Sequence, residues 1–255
     1  MWRFYISESY DNIVLMFSKT PVKVSVVIPA HNEAACIADT LTAVCAFSYP
    51  DFEVIVVDNA SSDNTSEIAS KFPVRVVRED RKGLLFAREC GRKAATGEII
   101  ANIDADCLPN KNWLTKAVSH FSDDHIVAVS GPYDYFDGTK FFRFTSLLLQ
   151  KTAYVFLNNI LNWTKKGGVL IGGNNLIRAS ILEKMGGYDT RLTFYGEDTN
   201  TAKRVSKYGK IVFHPCVVMK TSARRFKREG FLKISIKYFY HFFKQTAQKE
   251  IPYAK

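Results

Sequence analysis

Short apolar runs rich in β-branched residues alternate with helical patterns from Val22 onward, and this alternation limits the possible folds more than any other feature of the chain. The strand-like runs are 24–28, 54–57, 74–77 and 98–103, and the helical patterns between them are 33–47, 62–71 and 84–95. Strands that alternate with helices in this way predict a mostly parallel sheet flanked by helices. With 255 residues, of which 47% are hydrophobic, the chain can bury a full core.

The second half of the chain has a less regular pattern. After residue 112 we predict a helix at 113–121 and a strand at 126–129, followed by an aromatic, mostly apolar segment at 133–163. Glycine-rich stretches farther on allow sharp turns or a close approach of the backbone to a ligand. We therefore predict an N-terminal extension (1–21), an α/β domain (22–225) with halves 22–112 and 113–225, and a C-terminal tail (226–255).

Two carboxylates, Asp104 and Asp106, follow the apolar run 98–103. Open α/β sheets bind ligands at the carboxyl ends of their strands, which is where these side chains are expected. Hard oxygen ligands suit Mg²⁺ or Mn²⁺, and such ions usually also take phosphate oxygens from a substrate. Short acidic triplets are also common in turns. The triplet therefore suggests a phosphate-bearing substrate without establishing one.

The positive charge of the chain is concentrated near its C-terminus. The net charge is +10, and residues 220–255 hold ten Lys and Arg against two acids, so the first 219 residues carry only +2. This distribution favours a local anionic contact over a surface that binds nucleic acid. The five cysteines are odd in number and include no CxxC pair, which argues against a disulfide framework and a structural zinc site.

The chain shows no pattern typical of a signal peptide and no apolar stretch of about 18 residues without a strongly polar interruption. We therefore expect a cytoplasmic protein, either soluble or peripheral on the inner face of the membrane. Within the tail, a helix over 231–244 would place Lys233, Lys237 and Lys244 in a stripe about 40° wide. That helix either packs on the domain or lies in a membrane interface, with its lysines toward anionic head groups. We favour the membrane, because charge and aromatic residues coincide there.

Four motifs occur in a characteristic order: VSVVIPAHNE at 24–33, VVDNASSD at 56–63, IDAD at 103–106 and YGED at 195–198. Together they resemble the family 2 glycosyltransferases, which have a GT-A fold, over about residues 22–225. The resemblance implies an inverting hexosyltransferase that moves a sugar from a UDP- or GDP-sugar to an acceptor hydroxyl with Mg²⁺ or Mn²⁺ bound. The acceptor could be a glycan or a lipid-linked molecule. The Gln-x-x-Arg-Trp motif of processive members is absent, which favours a non-processive enzyme.

The same resemblance implies roles for individual residues. The nucleotide sugar would contact Pro29, Ala30, Asn32, Glu33, Asp58, Arg88, Asp104, Arg224 and Arg225. The sugar and the acceptor would contact Gly173 and Asn174. Asp106 would be the principal metal ligand with Asp104 beside it, and Asp198, next to Glu197, would be the general base.

Several of these residues also have ordinary structural explanations. Arg88 could be an exposed helix arginine, and Asp198 could cap a helix at 198–207. Glu33 is expected to open the helix at 33–47. His214 is interpreted as a histidine at the end of a strand rather than a third metal ligand. Ala60 replaces a glycine often found in the family, which leaves the backbone geometry there open.

Two other classes of function fit the sequence less well. A nucleotidyltransferase on a related fold would have a glycine-rich, arginine-containing loop after the first strand, and 29–32 lacks one. A non-catalytic module that binds a nucleotide sugar or a glycan would be expected to have lost one of the acidic positions, and all of them are present.

Overall fold

The computed structural model describes residues 21–164, 166–192 and 196–230, together with the positions 233, 234, 237 and 240. The predicted N-terminal extension and most of the predicted tail helix lie outside the described residues. Tyr195 of the fourth motif also lies outside them. The predicted boundary between residues 225 and 226 falls inside a short helix, so the tail begins within an element of the domain.

Two sheets lie within the described residues. Their strands are β1 (Val24–Ala30), β2 (Phe52–Asp58), β3 (Arg75–Arg78), β4 (Ile99–Ile103), β5 (Cys107–Leu108), β6 (Ile126–Ser130), β7 (Tyr133–Tyr135), β8 (Asn174–Arg178), β9 (Lys210–Phe213) and β10 (Met219–Thr221). The main sheet has the order β3-β2-β1-β4-β8-β6-β9, and β8 runs antiparallel to its neighbours. The small sheet has the order β5-β10-β7. The prediction of a mostly parallel sheet flanked by helices is confirmed.

The helices of the described chain flank the main sheet. They are α1 (Ile37–Cys45), α2 (Thr65–Ala69), α3 (Leu84–Ala94), α4 (Trp113–Val118), α5 (Lys140–Leu149), α6 (Val155–Trp163), α7 (Ala179–Lys184), α8 (Glu197–Val205) and α9 (Arg224–Glu229). A 3₁₀ turn (Ser119–Ser122) follows α4, and a π-helical segment (Gln150–Tyr154) joins α5 to α6.

The prediction that Glu33 opens the first helix is wrong, because α1 begins only at Ile37. The reason lies at Cys36, whose non-helical backbone (φ −135°) separates Glu33 from the helix and forms its N-cap. The backbone N–H groups of Asn32 and Glu33 donate to the side chains of Ser61 and Thr65 instead.

Strand alternation divides the core between the two faces of the main sheet. Along β1, Val26 and Ile28 belong to one buried cluster and Val27 belongs to the other, as the period of two along a strand requires. Helices α1 and α4 cover the first cluster, whereas α3, α7 and α8 cover the second. Strands from both halves of the chain join one sheet, so the acidic motifs of both halves are held in the same framework.

The aromatic segment predicted only as mostly apolar forms the continuous helical segment 140–163 beside the edge strand β9. Asn158 and Asn162 donate from their side-chain amides to the carbonyl oxygen of Ile211, at 2.9 and 2.7 Å. Asn162 Oδ1 also accepts from the Ile211 N–H at 3.1 Å. These bonds satisfy backbone groups of β9 that would otherwise be unpaired at the sheet edge. None of the helices in the described part of the chain is long and apolar enough to cross a membrane.

Candidate functional site

The acidic triplet lies where the sequence predicts it, directly after β4 at the carboxyl end of the sheet. Ligand atoms of Asp104, Asp106 and the neighbouring Cys107 lie within 4.8 Å of one another. The side chain of Asp104 is 37% exposed and that of Asp106 is 15% exposed. A cation could therefore reach the two carboxylates from the open side of the sheet.

The residues present fit a hard divalent cation. Burial raises the pKa of the Cys107 thiol well above its usual value, so this sulfur is protonated and a poor ligand for Mg²⁺ or Mn²⁺. Burial, followed by the charge of Asp104, raises the pKa of Asp106 to about 6. Two carboxylates held so close together repel each other, and a shared cation would remove that repulsion. The oxygen atoms that could hold such a cation here are those of Asp104 and Asp106.

Arg88 is buried between acids from distant parts of the chain, and its interpretation as an exposed helix arginine is wrong. Its guanidinium lies 3.7 Å from Asp104 Oδ1 and 3.4 Å from Asp198 Oδ1, and only 3% of the side chain is exposed. The opposite charges of the two acids offset the cost of burying this arginine. Arg88 therefore links Asp104 to Asp198, the predicted general base.

Asp198 does not cap α8, because Gly196, with φ 88°, occupies the N-cap position. The Asp198 carboxylate instead accepts a hydrogen bond from the Gly172 N–H at 3.0 Å, and 31% of this side chain remains exposed. Burial raises the pKa of Asp198, and the nearby Arg88 opposes that shift. Its neighbour Glu197 is buried, and burial together with the charge of Asp198 raises the pKa of Glu197.

The glycine pair that precedes β8 allows the backbone to approach the acids closely. A Cβ atom on Gly172 would lie 2.4 Å from Arg88 Nη2, and one on Gly173 would lie 2.2 Å from Asp104 Cγ. Side chains at these positions would displace the charged groups. Asn174 differs from the expected sugar contact, because its side chain is fully buried and its amide donates to the carbonyl oxygens of Gly131 and Val217. We therefore assign Asn174 a structural role.

Arg224, at the start of α9, reaches across the site. Its guanidinium forms a bidentate ion pair with Glu33, with Nη1 2.6 Å from Oε2, and its Nε lies 3.1 Å from Asp106 Oδ2. Thr221 Oγ1 donates to Asp106 Oδ1 at 3.4 Å. Arg225 follows in the same helix and is partly exposed. The C-terminal basic segment therefore contributes the positive charge of Arg224 directly to the acidic site.

The loops after β1 and β2 are hydrogen-bonded to each other. Pro29 and Ala30 end β1 and are buried. Asn32 donates its backbone N–H to Ser61 Oγ at 3.1 Å, and its Oδ1 accepts from the Ser62 N–H at 2.8 Å. The predicted nucleotide contacts Pro29, Ala30 and Asn32 therefore belong to, or directly precede, a pair of loops joined by hydrogen bonds.

Asp58, the last residue of β2, is buried and already has two partners. Its carboxylate accepts from the Ser61 N–H at 3.0 Å and from Arg78 Nη1 at 2.8 Å. Arg78 was not predicted as part of the site, since nothing in the sequence pairs it with Asp58. The ion pair holds the Asp58 carboxylate at the end of its strand.

Two further residues at the site escaped prediction from the sequence. The hydroxyl of Tyr133 donates to Asp104 Oδ2 at 3.0 Å. Gln150 holds the backbone of Tyr133 on both sides, because Oε1 accepts from its N–H at 2.8 Å and Nε2 donates to its carbonyl oxygen at 3.0 Å. Both residues lie in the aromatic segment, where no spacing or charge pattern distinguishes them from core residues.

His214 directly follows β9, as predicted for a histidine at the end of a strand. Its ring lies 4.6 Å from that of His120, measured between centroids, and its Nδ1 accepts from the Cys216 N–H at 3.2 Å. These contacts join the end of the edge strand to the 3₁₀ turn after α4.

Residues 25–186 match the sequence profile of the family described as Glycosyl transferase family 2. The chain belongs to glycosyl transferase family 2. The motifs at 56–63 and 103–106 lie within the matched residues, and the motif at 195–198 lies beyond them. The family predicted from the four motifs is thus confirmed.

Among curated relatives, this family 2 chain is similar to Glycosyltransferase AglE of Haloferax volcanii, with 31% identity over 198 residues that cover 73% of this chain and 62% of that protein. Among solved structures it is similar to the mannosyltransferase PcManGT from Pyrobaculum calidifontis in complex with GDP-Man and Mn²⁺. The TM-score is 0.68 at 25% identity, over 91% of this chain and 66% of that one.

A second structure, S. aureus TarS 1-349 in complex with UDP-GlcNAc, has a TM-score of 0.60 at 20% identity, over 79% of this chain and 59% of that one. At that identity the likeness shows the fold alone. The chain spans between half and two thirds of the length of the curated relatives that it matches first.

Proposed function

We propose that this chain is an inverting, non-processive glycosyltransferase that moves a sugar from a nucleoside-diphosphate sugar to an acceptor hydroxyl. One observation carries the proposal. Arg88 is buried between Asp104, at the end of β4, and Asp198, in the first turn of α8, so that the acids of a metal site and a candidate base face one cleft. Family membership supports the same reaction.

The donor nucleotide would lie over the loops after β1 and β2. Pro29, Ala30 and Asn32 would form the floor for the base and ribose. The Asp58 carboxylate, which lies buried behind Arg78, would accept a hydrogen bond from the base once the exposed Arg78 side chain moves aside. Glu33 lies at the far side of the same loop. PcManGT binds GDP-Man and TarS binds UDP-GlcNAc, so relatives of this fold accept either base.

The diphosphate would lie between the acidic triplet and α9. Asp106, with Asp104 beside it, would hold Mg²⁺ or Mn²⁺, which when bound neutralises charge on the departing diphosphate. Arg224 and Arg225 would bind phosphate oxygens, because a guanidinium matches their geometry. Gly173, whose lack of a side chain lets the Asp104 carboxylate lie against it, would bring the backbone close to the donor sugar.

Asp198 would act as the general base toward the acceptor. It accepts the hydroxyl proton while that oxygen forms a bond to the anomeric carbon. On the opposite face the bond to the phosphate oxygen breaks, and its electron pair leaves with the nucleoside diphosphate. The raised pKa of Asp198 makes it a stronger base than an exposed aspartate. The acceptor is a glycan or a lipid-linked molecule in this proposal.

The alternative of a non-catalytic binding module has less support. Such a module has no need for a partly exposed carboxylate with a raised pKa beside the metal-site acids, whereas a transferase does.

Two substitutions test the proposal. Asp198→Asn keeps the size of the side chain and removes the base, so we expect kcat to fall by about a hundredfold or more while donor binding changes little. Asp106→Ala should weaken Mn²⁺-dependent donor binding as well as turnover. The measurement is turnover with a panel of UDP- and GDP-sugars, with calorimetry of donor binding in Mn²⁺.

Asp39→Asn is the matched control, because Asp39 is exposed on α1. It should leave both turnover and binding unchanged. Full turnover in Asp198→Asn, with the fold intact by circular dichroism, would refute the assignment of the base.

A further inference from the structure

The helical segment 140–163 carries most of the exposed apolar surface of the described chain. Of ten large apolar or aromatic side chains that are exposed among the described residues, seven lie on this segment. The most exposed are Trp163 at 84%, Phe141 at 79%, Phe156 at 68% and Phe144 at 67%. Scattered exposed apolar residues need no explanation, but a concentration of them on one element indicates an interaction site.

These side chains fall into two groups, each on one side of its helix, and are not scattered around the segment. At about 100° per residue, Phe141, Phe144 and Leu148 lie within about 60° of one another. Phe156, Ile160 and Trp163 likewise lie within about 60° of one another on the second part of the segment. We call these six residues the outer face.

The opposite side of the segment already has its packing partners. Leu161 packs with Val169 and Phe213, and the ring of Tyr154 meets that of Phe213 at 5.9 Å. Asn158 and Asn162 bind β9, as described above. The outer face is therefore not required for packing of the helix on its own domain.

The charged side chains within the segment 140–163 have one sign. No aspartate or glutamate occurs between Asp137 and Glu183. Lys140 and Lys151 are exposed and lie within about 20° of each other along one border of the face, and Lys166 is exposed just beyond its end. Aromatic residues beside lysines, without acids, are typical of helices that lie in the plane of an anionic membrane interface.

We propose that the outer face docks this chain on an anionic lipid surface, with Lys140 and Lys151 among the head groups and the aromatic side chains at the boundary of the acyl chains. A second copy of the chain fits this face less well. A two-fold contact brings the same patch of both copies together, so the lysines would meet lysines without an acid to pair with them. The inference goes beyond the proposed function and does not depend on it.

Docking of this face would place the candidate site near the lipid surface. Gln150, on the inner side of the same segment, holds the backbone of Tyr133, whose hydroxyl binds Asp104. A chain docked in this way would hold the metal-site acids beside the bilayer through one continuous set of contacts.

The test is cosedimentation of the full chain with vesicles of neutral lipid and of neutral lipid containing 30% anionic phosphatidylglycerol. The unmodified chain should bind the anionic vesicles. The variant Phe141→Ser/Phe156→Ser/Trp163→Ser should bind them about tenfold more weakly, because its apolar anchors are lost. The variant Lys140→Glu/Lys151→Glu should also bind anionic vesicles about tenfold more weakly, with no change in its binding to neutral vesicles.

Two controls separate a local contact from a general effect. Lys111→Glu/Lys116→Glu makes the same change in net charge at exposed positions elsewhere, and Tyr208→Ser removes an exposed aromatic residue elsewhere. Both should bind like the unmodified chain. Equal losses in the two lysine variants would overturn the proposal, because binding would then depend on total charge and not on this face.

Two further outcomes would also overturn it. The first is unchanged vesicle binding by the serine variant. The second is an unmodified chain that is dimeric by light scattering and becomes monomeric in the serine variant, which would assign the face to a second copy. Nucleotide-sugar binding by each variant is measured separately, so that a failure of docking is distinguished from a failure of the proposed transferase.

Discussion

At the scale of single residues, Ala60 shows how the backbone keeps a conformation that its side chain disfavours. Ala60 lies in the loop after β2 at φ 54°, in the left-handed region where glycine is preferred. The Ser61 N–H donates across Ala60 to Asp58 Oδ1, and the Ser62 N–H just after it donates to Asn32 Oδ1. The geometry left open by the sequence is therefore the one that a glycine would adopt.

Ala60→Gly should leave the protein equally stable or more stable by up to about 1 kcal/mol, because relief of the left-handed strain exceeds the entropic cost of glycine. Ala60→Val should destabilise it by about 1 kcal/mol or more, since a β-branched residue tolerates this φ poorly. Urea unfolding measures both. A clear loss of stability in Ala60→Gly would contradict the left-handed assignment.

At the scale of elements, His120 and His214 join the 3₁₀ turn after α4 to the end of β9. Burial lowers the pKa of both rings, and for His120 the charge of His214 lowers it further. Folded-state pKa values below those of the unfolded chain mean that the folded state binds fewer protons. The stability that the two neutral rings contribute is therefore complete above the unfolded-state pKa of about 6.5, and it is lost as the pH falls below that pKa.

Between pH 7 and pH 5.5 we expect the free energy of unfolding of the unmodified chain to fall relative to that of His120→Gln/His214→Gln. The raised pKa values of Asp106, Asp198 and Glu197 act in the opposite direction, but equally in both proteins. Denaturant unfolding at a series of pH values measures it. His125→Gln, at an exposed histidine after the 3₁₀ turn, is the control and should retain the slope of the unmodified chain. An unchanged slope in the double variant would show that the pair does not contribute.

At the scale of the whole molecule, the ion pair between Arg224 and Glu33 joins residues 191 positions apart in the sequence. Arg224 also contacts Asp106, so it supplies positive charge at the predicted metal site. Any cation that binds these carboxylates competes with this guanidinium, because both neutralise the same acids.

Arg224→Gln should bind Mn²⁺ about tenfold more tightly in the absence of nucleotide, which corresponds to about 1.4 kcal/mol. The same variant should bind nucleoside diphosphate more weakly, because it lacks a phosphate ligand. Titration of Mn²⁺ by electron paramagnetic resonance, with and without UDP or GDP, measures both effects. Arg228→Gln, at an exposed arginine of the same helix, should change neither value.

Much of the fold followed from local patterns. The strand-like runs and the order of the motifs predicted the mostly parallel sheet, and Asp104 was placed correctly because a buried strand must end where its apolar run ends. Helix starts were less predictable. Glu33 was assigned to a helix because its side chain suits one, whereas the backbone at Cys36 is not helical and α1 begins only after it.

By itself the sequence determined the family, the strands of the first half and the acids that end two of them, since these depend on local periodicity and motif order. Only the tertiary structure decided that Arg88 is buried between Asp104 and Asp198, that Tyr133 binds Asp104 and that Asn174 is structural. Those facts depend on which side chains β8, α8 and the segment 140–163 bring together. Contacts between residues so far apart in the chain leave no periodic signal, because they arise from packing of elements against one another.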